Sequence, residues 1–128
     1  MRAILPLAAL ALMTSASALS AKTDRHAVPE AVPDGKAVDC VQTRNIRNTR
    51  VHGDKVIDFH MRGGKVYRNE LPYQCNSLGF EERFSYKTSI NQLCSVDIIT
   101  VLRNPPTIQG PSCGLGKFQP VKLAKKKK

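Results

Sequence analysis

Apolar and polar residues alternate most clearly in residues 56–61, which read Val-Ile-Asp-Phe-His-Met. A period of two predicts a half-buried β-strand, because successive side chains of a strand point to opposite faces. The buried face would carry Ile57, Phe59 and Met61, and the exposed face Asp58 and His60. Gly63-Gly64 then marks a turn, and residues 65–71 alternate again. The two segments together predict a β-hairpin.

The length of the turn decides which side chains of this hairpin share a face. A two-residue loop at Gly63-Gly64 would place Phe59 opposite Arg68 and send the apolar rows to opposite faces. A three-residue loop over residues 62–64 would instead place Phe59 opposite Tyr67, with both rings on one face. Burial favours the longer loop, and we expect its last glycine to adopt a left-handed backbone conformation.

Three further segments have strand patterns. Residues 83–88 alternate around two aromatic residues. Residues 96–102 are apolar on both faces apart from two polar positions, which is typical of a buried central strand. Residues 117–123 predict a last strand, and Pro120 indicates that it lies at a sheet edge, since proline donates no hydrogen bond to a ladder.

The expected fold class is mainly β. Residues 41–51 fit neither the helical nor the strand period, and one short helix is expected within residues 76–82. The pattern predicts a small antiparallel sheet, or a partly closed barrel, of four to six strands with two disulfides.

The N-terminus has the features of a secretory signal peptide. Arg2 supplies one positive charge, residues 3–13 are apolar and the next residues are small. Ala16-Ser17-Ala18 predicts cleavage after residue 18, with Ala21 as the alternative. The apolar run is shorter than the roughly 20 residues that a membrane-spanning helix needs. We therefore predict a periplasmic or secreted protein whose mature chain has no transmembrane span.

The remaining chain divides into three parts. Residues 22–38 are polar and contain two prolines, which indicates a flexible linker. Residues 39–123 form a single domain, small enough for cross-links to matter. Residues 124–128 form a basic tail.

All four cysteines lie in this domain, at Cys40, Cys75, Cys94 and Cys113. An even number in a small exported chain predicts two disulfides. A zinc or redox site would call for a C-x-x-C pair, which is missing. Three pairings are open to the sequence. Among them we favour Cys40–Cys113 with Cys75–Cys94, because the first bridge would close nearly the whole domain.

A series of short motifs in a fixed order resembles a family of small exported bacterial proteins, mostly proteobacterial, known only as a domain of unknown function. The likeness covers about residues 40–121 and follows the cysteine spacing. Its pieces are Cys40, Ile46, Thr49-Arg50-Val51, Val56-Ile57-Asp58-Phe59, Gly64, Tyr67, Asn69-x-Leu71, Cys75-x-x-Leu78, Phe84-x-Tyr86, Leu93-Cys94-Ser95-x-Asp97-x-Ile99 and Cys113-x-Leu115-Gly116. The resemblance implies an exported, disulfide-linked domain and brings no activity, cofactor or catalytic residue.

Basic charge is the strongest chemical feature. The chain has 20 Lys and Arg against 10 Asp and Glu, a formal charge of +10. The candidate anion contacts are Arg44, Arg47, Arg50, Lys125, Lys126, Lys127 and Lys128. The three arginines would share a face on a helical turn and alternate on a strand. Such charge attracts anionic lipid, lipopolysaccharide or acidic polysaccharide, or serves solubility alone. Nucleic acid is not expected, since export removes access to genomes.

The sequence favours a protein without enzymatic activity, cofactor or metal. No G-x-S-x-G motif is present, and Asp97 is interpreted as tying down a turn. The residues nearest to a metal-ligand set are His52, Asp54, Asp58 and His60, which we interpret as surface residues. We expect a cell-envelope binding or structural module with affinity for anionic surfaces. The alternative is an inhibitor or accessory protein that docks on a secreted protein partner.

Overall fold

The computed structural model describes residues 27–88, 90–103 and 108–124. Within them the chain forms ten β-strands, a 3-10 turn at Thr43–Asn45 and one helix, α1, at Leu78–Glu81. The strands are β1 (Ala31–Pro33), β2 (Cys40–Gln42), β3 (Ile46–His52), β4 (Val56–Met61), β5 (Val66–Glu70), β6 (Phe84–Tyr86), β7 (Gln92–Cys94), β8 (Ile98–Arg103), β9 (Ile108–Gly114) and β10 (Phe118–Leu123). The predicted β class and the short helix are confirmed. The number of strands exceeds our expectation, because several have only three residues and show no period.

The strands form three antiparallel sheets that do not close into a barrel. The largest has the order β1-β10-β5-β4-β3, the second has the order β6-β8-β9, and β2 pairs with β7. The core lies between the first two sheets. At its centre the ring of Phe59 packs edge to face against two other rings, with 5.2 Å between the ring centroids for Phe118 and 6.4 Å for Phe84. Buried aromatic pairs of this geometry stabilise beyond their buried area.

The β4–β5 hairpin has the three-residue loop expected from burial. Phe59 lies opposite Tyr67, and the Met61 amide donates to the Lys65 carbonyl at 2.8 Å. Gly63 and Gly64 have φ angles of +88° and +90°, which residues with a side chain rarely adopt. The register expected from the hydrophobic pattern is confirmed.

Two strand expectations are wrong in detail. The strand β8 is central in its sheet, as expected, but only one face is covered, since Ile99 and Val101 are fully buried and Ile98 is 57% exposed. The strand β10 is not an edge, since it pairs with β5 on one side and β1 on the other. Pro120 is tolerated there because its carbonyl still accepts a hydrogen bond from the Asp34 amide at 2.8 Å.

Part of the predicted linker belongs to the fold. Residues 31–33 form β1, and Val38 exchanges two backbone hydrogen bonds of 2.9 Å with Phe118. These contacts are made by the main chain, so the alternation of apolar and polar side chains does not predict them. The predicted signal peptide at residues 1–18 lies outside the described residues, as do residues 22–26 and Lys125–Lys128. Across residues 27–88, 90–103 and 108–124, no helix has the length and apolar content to cross a bilayer.

Both disulfides form, but the expected pairing is wrong: the bridges are Cys40–Cys94 and Cys75–Cys113. Cys40 and Cys94 face each other directly across the β2–β7 pair. The second bridge joins the segment before α1 to β9. Loop length alone misled the prediction, because pairing follows which strands become neighbours.

We expect each bridge to stabilise the domain by about 4 kcal/mol on the chain-entropy scale, since the closed loops span 54 and 38 positions. The double variants C40S/C94S and C75S/C113S should each lower the free energy of unfolding in urea by that order. Peptide mapping without reduction should recover the two bridged fragments. Recovery of a Cys40–Cys113 fragment would contradict the structure.

Candidate functional site

A buried carboxylate lies on the outer face of the five-stranded sheet, the face turned away from the core. Asp58 is fully buried, although the sequence predicted it to be exposed. Arg68 lies directly opposite on β5, and its Nε and Nη2 donate to the two carboxylate oxygens at 2.8 and 3.0 Å. A bidentate pair of this kind fixes both side chains. The expected hairpin register could have predicted this pair, because it places the opposite charges of Asp58 and Arg68 across from each other.

Two further groups complete this cluster. His52 Nε2 lies 3.2 Å from the second oxygen of Asp58. Arg68 Nη2 also donates to the carbonyl of Pro29 at 2.9 Å, which ties the segment before β1 to this face. Both oxygens of Asp58 are therefore partnered, and this is why the carboxylate tolerates burial.

The four residues considered for a metal site do not assemble. His52, His60 and Asp58 lie together on the outer face of β3 and β4. Asp54 instead accepts a hydrogen bond from the Gly79 amide at 2.8 Å, which holds α1 against the β3–β4 turn. Among the residues that the structure describes, no group of three or more His, Cys, Asp or Glu side chains is arranged to hold a metal ion.

Asp97 ties down a turn, as the sequence predicted. Its carboxylate accepts the Cys94 amide at 2.7 Å, and its own amide donates to the Cys94 carbonyl at 2.9 Å. This carboxylate serves the loop that holds one disulfide.

A second charged region lies where four neighbouring strands have their ends. The strands β10 and β4 end there, and β5 and β3 begin there, because adjacent strands run antiparallel. Five exposed cations lie at these ends, and we name them the basic end: Arg44, Arg47, Arg62, Lys65 and Lys122. At about 4.8 Å per strand, the row from β10 to β3 spans roughly 15 Å.

Local structure brings these cations together. A bulge at Arg47 inserts one extra residue into β3, between the pairs that Ile46 and Asn48 make with β4. The Arg62 amide donates to the Asn45 carbonyl at 2.8 Å, which holds the 3-10 turn carrying Arg44 against the hairpin loop.

The cations of the basic end make no ion pair within the described residues. The ion pairs of the described residues join Asp58 to Arg68 and Asp39 to Lys117, and neither lies at the basic end. Glu30 lies at the far side of the same end, where its carbonyl accepts the Ala124 amide. The basic end therefore presents five exposed cations to solvent and borders one exposed acid, Glu30, beside Lys122.

Arg50 does not join Arg44 and Arg47, although the sequence grouped the three. It lies opposite Asp58 in the middle of β3, on the outer face. Three residues of extended strand separate Arg50 from Arg47 by about 10 Å. Arg62 and Lys65 follow from the hairpin loop, whereas the position of Lys122 depends on β10 pairing between β5 and β1, which the sequence did not indicate.

Comparison of the chain with protein-family models, with curated proteins and with solved structures finds no match. The family resemblance noted in the sequence therefore stays a prediction.

Removal of the buried carboxylate should destabilise the fold strongly. In D58A the Arg68 guanidinium would stay partly buried without its partner, a change that typically costs about 3 kcal/mol or more. Urea unfolding monitored by circular dichroism measures the loss. The exposed Asp34 is the matched control, and D34A should change the free energy of unfolding by less than about 0.5 kcal/mol. Equal effects of the two variants would contradict the structural role.

His60 should make the fold less stable in mild acid. Burial lowers the pKa of His60 below 6.5, Arg50 and His52 act in the same direction, and Asp58 opposes them. The unfolded chain therefore takes up this proton at a higher pH than the folded chain. The free energy of unfolding should fall as pH decreases through about 6.5 and level off below the lowered pKa. H60Q should reduce this pH dependence, and an unchanged slope would rule out His60 as its source.

Proposed function

We propose that this protein is an exported, non-enzymatic domain that binds anionic surfaces of the cell envelope through the basic end. The main support for this proposal is the row of five exposed cations, which have no ion-pair partners among the described residues. Unpaired cations keep their full attraction for external anions, whereas Arg68 is neutralised by its own carboxylate.

Export is supported by two independent features. The first 18 residues have the composition of a signal peptide. The two disulfides fit an oxidising compartment such as the periplasm or the extracellular space. Both features favour contact with envelope components over contact with cytosolic ones.

The chemistry of the basic end suits phosphate and carboxylate groups. Three of its members are arginines, whose planar guanidinium can donate two parallel hydrogen bonds to such groups. Near an anionic bilayer each Lys or Arg contributes about 1 kcal/mol. The C-terminal strand leads towards the same end, and Lys125–Lys128 follow Ala124 in the sequence, which adds four cations to the chain beyond it.

A role without catalysis is supported by the way the acidic groups are used. Asp58, Asp97 and Asp54 each accept hydrogen bonds that hold local structure. A general base or nucleophile needs lone pairs directed at a substrate. The second candidate function, docking on a secreted protein, is favoured by a different observation, the open edge of β3.

We expect neutralisation of the basic end to abolish most binding to anionic vesicles. The variant R44Q/R47Q/R62Q should bind vesicles of mixed phosphatidylglycerol and phosphatidylcholine at least tenfold more weakly, because three surface cations are lost. Cosedimentation at several salt concentrations measures the partition, and the wild-type affinity should fall steeply with salt. Parallel titrations with lipopolysaccharide and heparin distinguish the anion sources.

The matched control removes three exposed arginines elsewhere, in R50Q/R83Q/R103Q, and should weaken vesicle binding less than threefold. Deletion of Lys125–Lys128 in wild type measures the contribution of the tail. Equal losses in the two triple variants would show that net charge acts without a defined site, and would overturn the proposal.

A further inference from the structure

The strand β3 has a hydrogen-bonded neighbour, β4, on one side only. Successive residues of a strand direct their backbone N–H and C=O groups to opposite sides. In β4 the Met61 amide donates to β5, so Phe59 and Ile57 also direct their backbone groups to β5. The residues between them therefore bond to β3. On β3 the bonded residues are therefore Asn48, Arg50 and His52. Thr49 and Val51 direct their N–H and C=O groups away from β4, and within the described ranges no hydrogen bond satisfies these groups.

This open edge borders a groove between the two main sheets. One part is a cleft of about 460 Å³, with Ile46 and Thr49 on one wall and Phe84, Tyr86 and Leu102 on the other. It continues into a cleft of about 340 Å³ between residues 49–52 and Glu82. The groove thus combines unpaired main-chain groups with an apolar wall, the two components with which proteins bind an extended peptide as an added strand.

Among the strands with an open side in the described residues, β3 suits pairing best. The strands β1, β2, β6 and β7 have three residues each, and β1 contains Pro33. The strand β9 has seven residues but is interrupted by Gly110-Pro111. Since proline removes a donor and short strands offer few hydrogen bonds, these edges are protected. The strand β3 contains no proline and is regular after its bulge.

We propose that the open edge of β3 binds an extended acidic segment of a partner protein as an additional strand. Successive side chains of that segment would alternate between the two faces of the sheet. One set would enter the apolar groove against Phe84 and Tyr86. The other set would lie beside Arg50 on the outer face, where a carboxylate makes a favourable cross-strand pair. The preferred segment therefore alternates apolar and acidic residues.

Charge favours an acidic partner segment over a second copy of this chain or one of its own terminal segments. Arg50 and Arg83 border the groove against a single acid, Glu82. Antiparallel pairing of two copies centred on Arg50 would bring the two Arg50 side chains together, which is unfavourable. The terminal segments of this chain also carry net positive charge, since residues 22–26 contain Lys22 and Arg25 against Asp24, and Lys125–Lys128 contain no acid.

The test uses three synthetic nine-residue peptides on the intact protein. The first alternates Val and Glu, the second replaces Glu with Lys, and the third is the acidic peptide N-methylated at every second residue. We expect the acidic peptide to bind in a fluorescence anisotropy titration and the other two to bind at least tenfold more weakly. Hydrogen exchange followed by NMR should show new protection of the Thr49 and Val51 amides. Absence of binding by the acidic peptide, or equal binding of its N-methylated form, would overturn strand addition.

Variants separate this site from the basic end. R50Q/R83Q should weaken binding of the acidic peptide at least tenfold while leaving vesicle binding within threefold. The matched control K36Q/K117Q removes two exposed cations on the opposite side of the sheet and should leave peptide binding within threefold. R44Q/R47Q/R62Q should show the reverse pattern, with vesicle binding lost and peptide affinity largely kept. Peptide binding that depends only on the basic end, or a dimer that protects the same two amides without peptide, would overturn the inference.

Discussion

The three-residue turn between β4 and β5 is the constraint on which the rest of the structure depends. Two glycines with positive φ allow it, and it pairs Phe59 with Tyr67. A slip by one residue would move every side chain of the strand to the other face. The same register fills the core with Phe59, places Asp58 across from Arg68, and decides which backbone groups of β3 stay unpaired.

The molecule separates charges that hold the fold from charges that face solvent. Asp58 is buried with Arg68 and His52, and Arg68 also holds the segment before β1 through the Pro29 carbonyl. Breaking such a buried pair is costly, because the remaining charge loses both solvent and partner. At the basic end, by contrast, the cations are exposed and unpaired within the described residues. These cations are available to an external anion, whereas the groove beside β3 offers main-chain donors and acceptors together with the charges of Arg50 and Arg83.

Prediction from sequence succeeded where one face of a strand is buried. The alternation of residues 56–61 and the requirement for a common face identified the hairpin, its loop and its register. Prediction failed for β1, because main-chain pairing of three residues leaves no period. It also failed for Asp58, since alternation predicts the face of a residue but not what covers that face. Arg50 lies apart from Arg44 because residues 46–52 form a strand, and three extended residues place Arg50 about 10 Å along the strand from Arg47.

The sequence by itself determined the β class, the central hairpin, the presence of two disulfides and the excess of positive charge. These features follow from local alternation, turn residues and composition, which need no knowledge of distant neighbours. Only the tertiary structure decided that Cys40 bonds to Cys94, that β10 lies inside the sheet, and that Lys122 joins the basic end. The physical reason is that strands distant in sequence become neighbours through main-chain hydrogen bonds, which every residue except proline can donate and which therefore carry little sequence information.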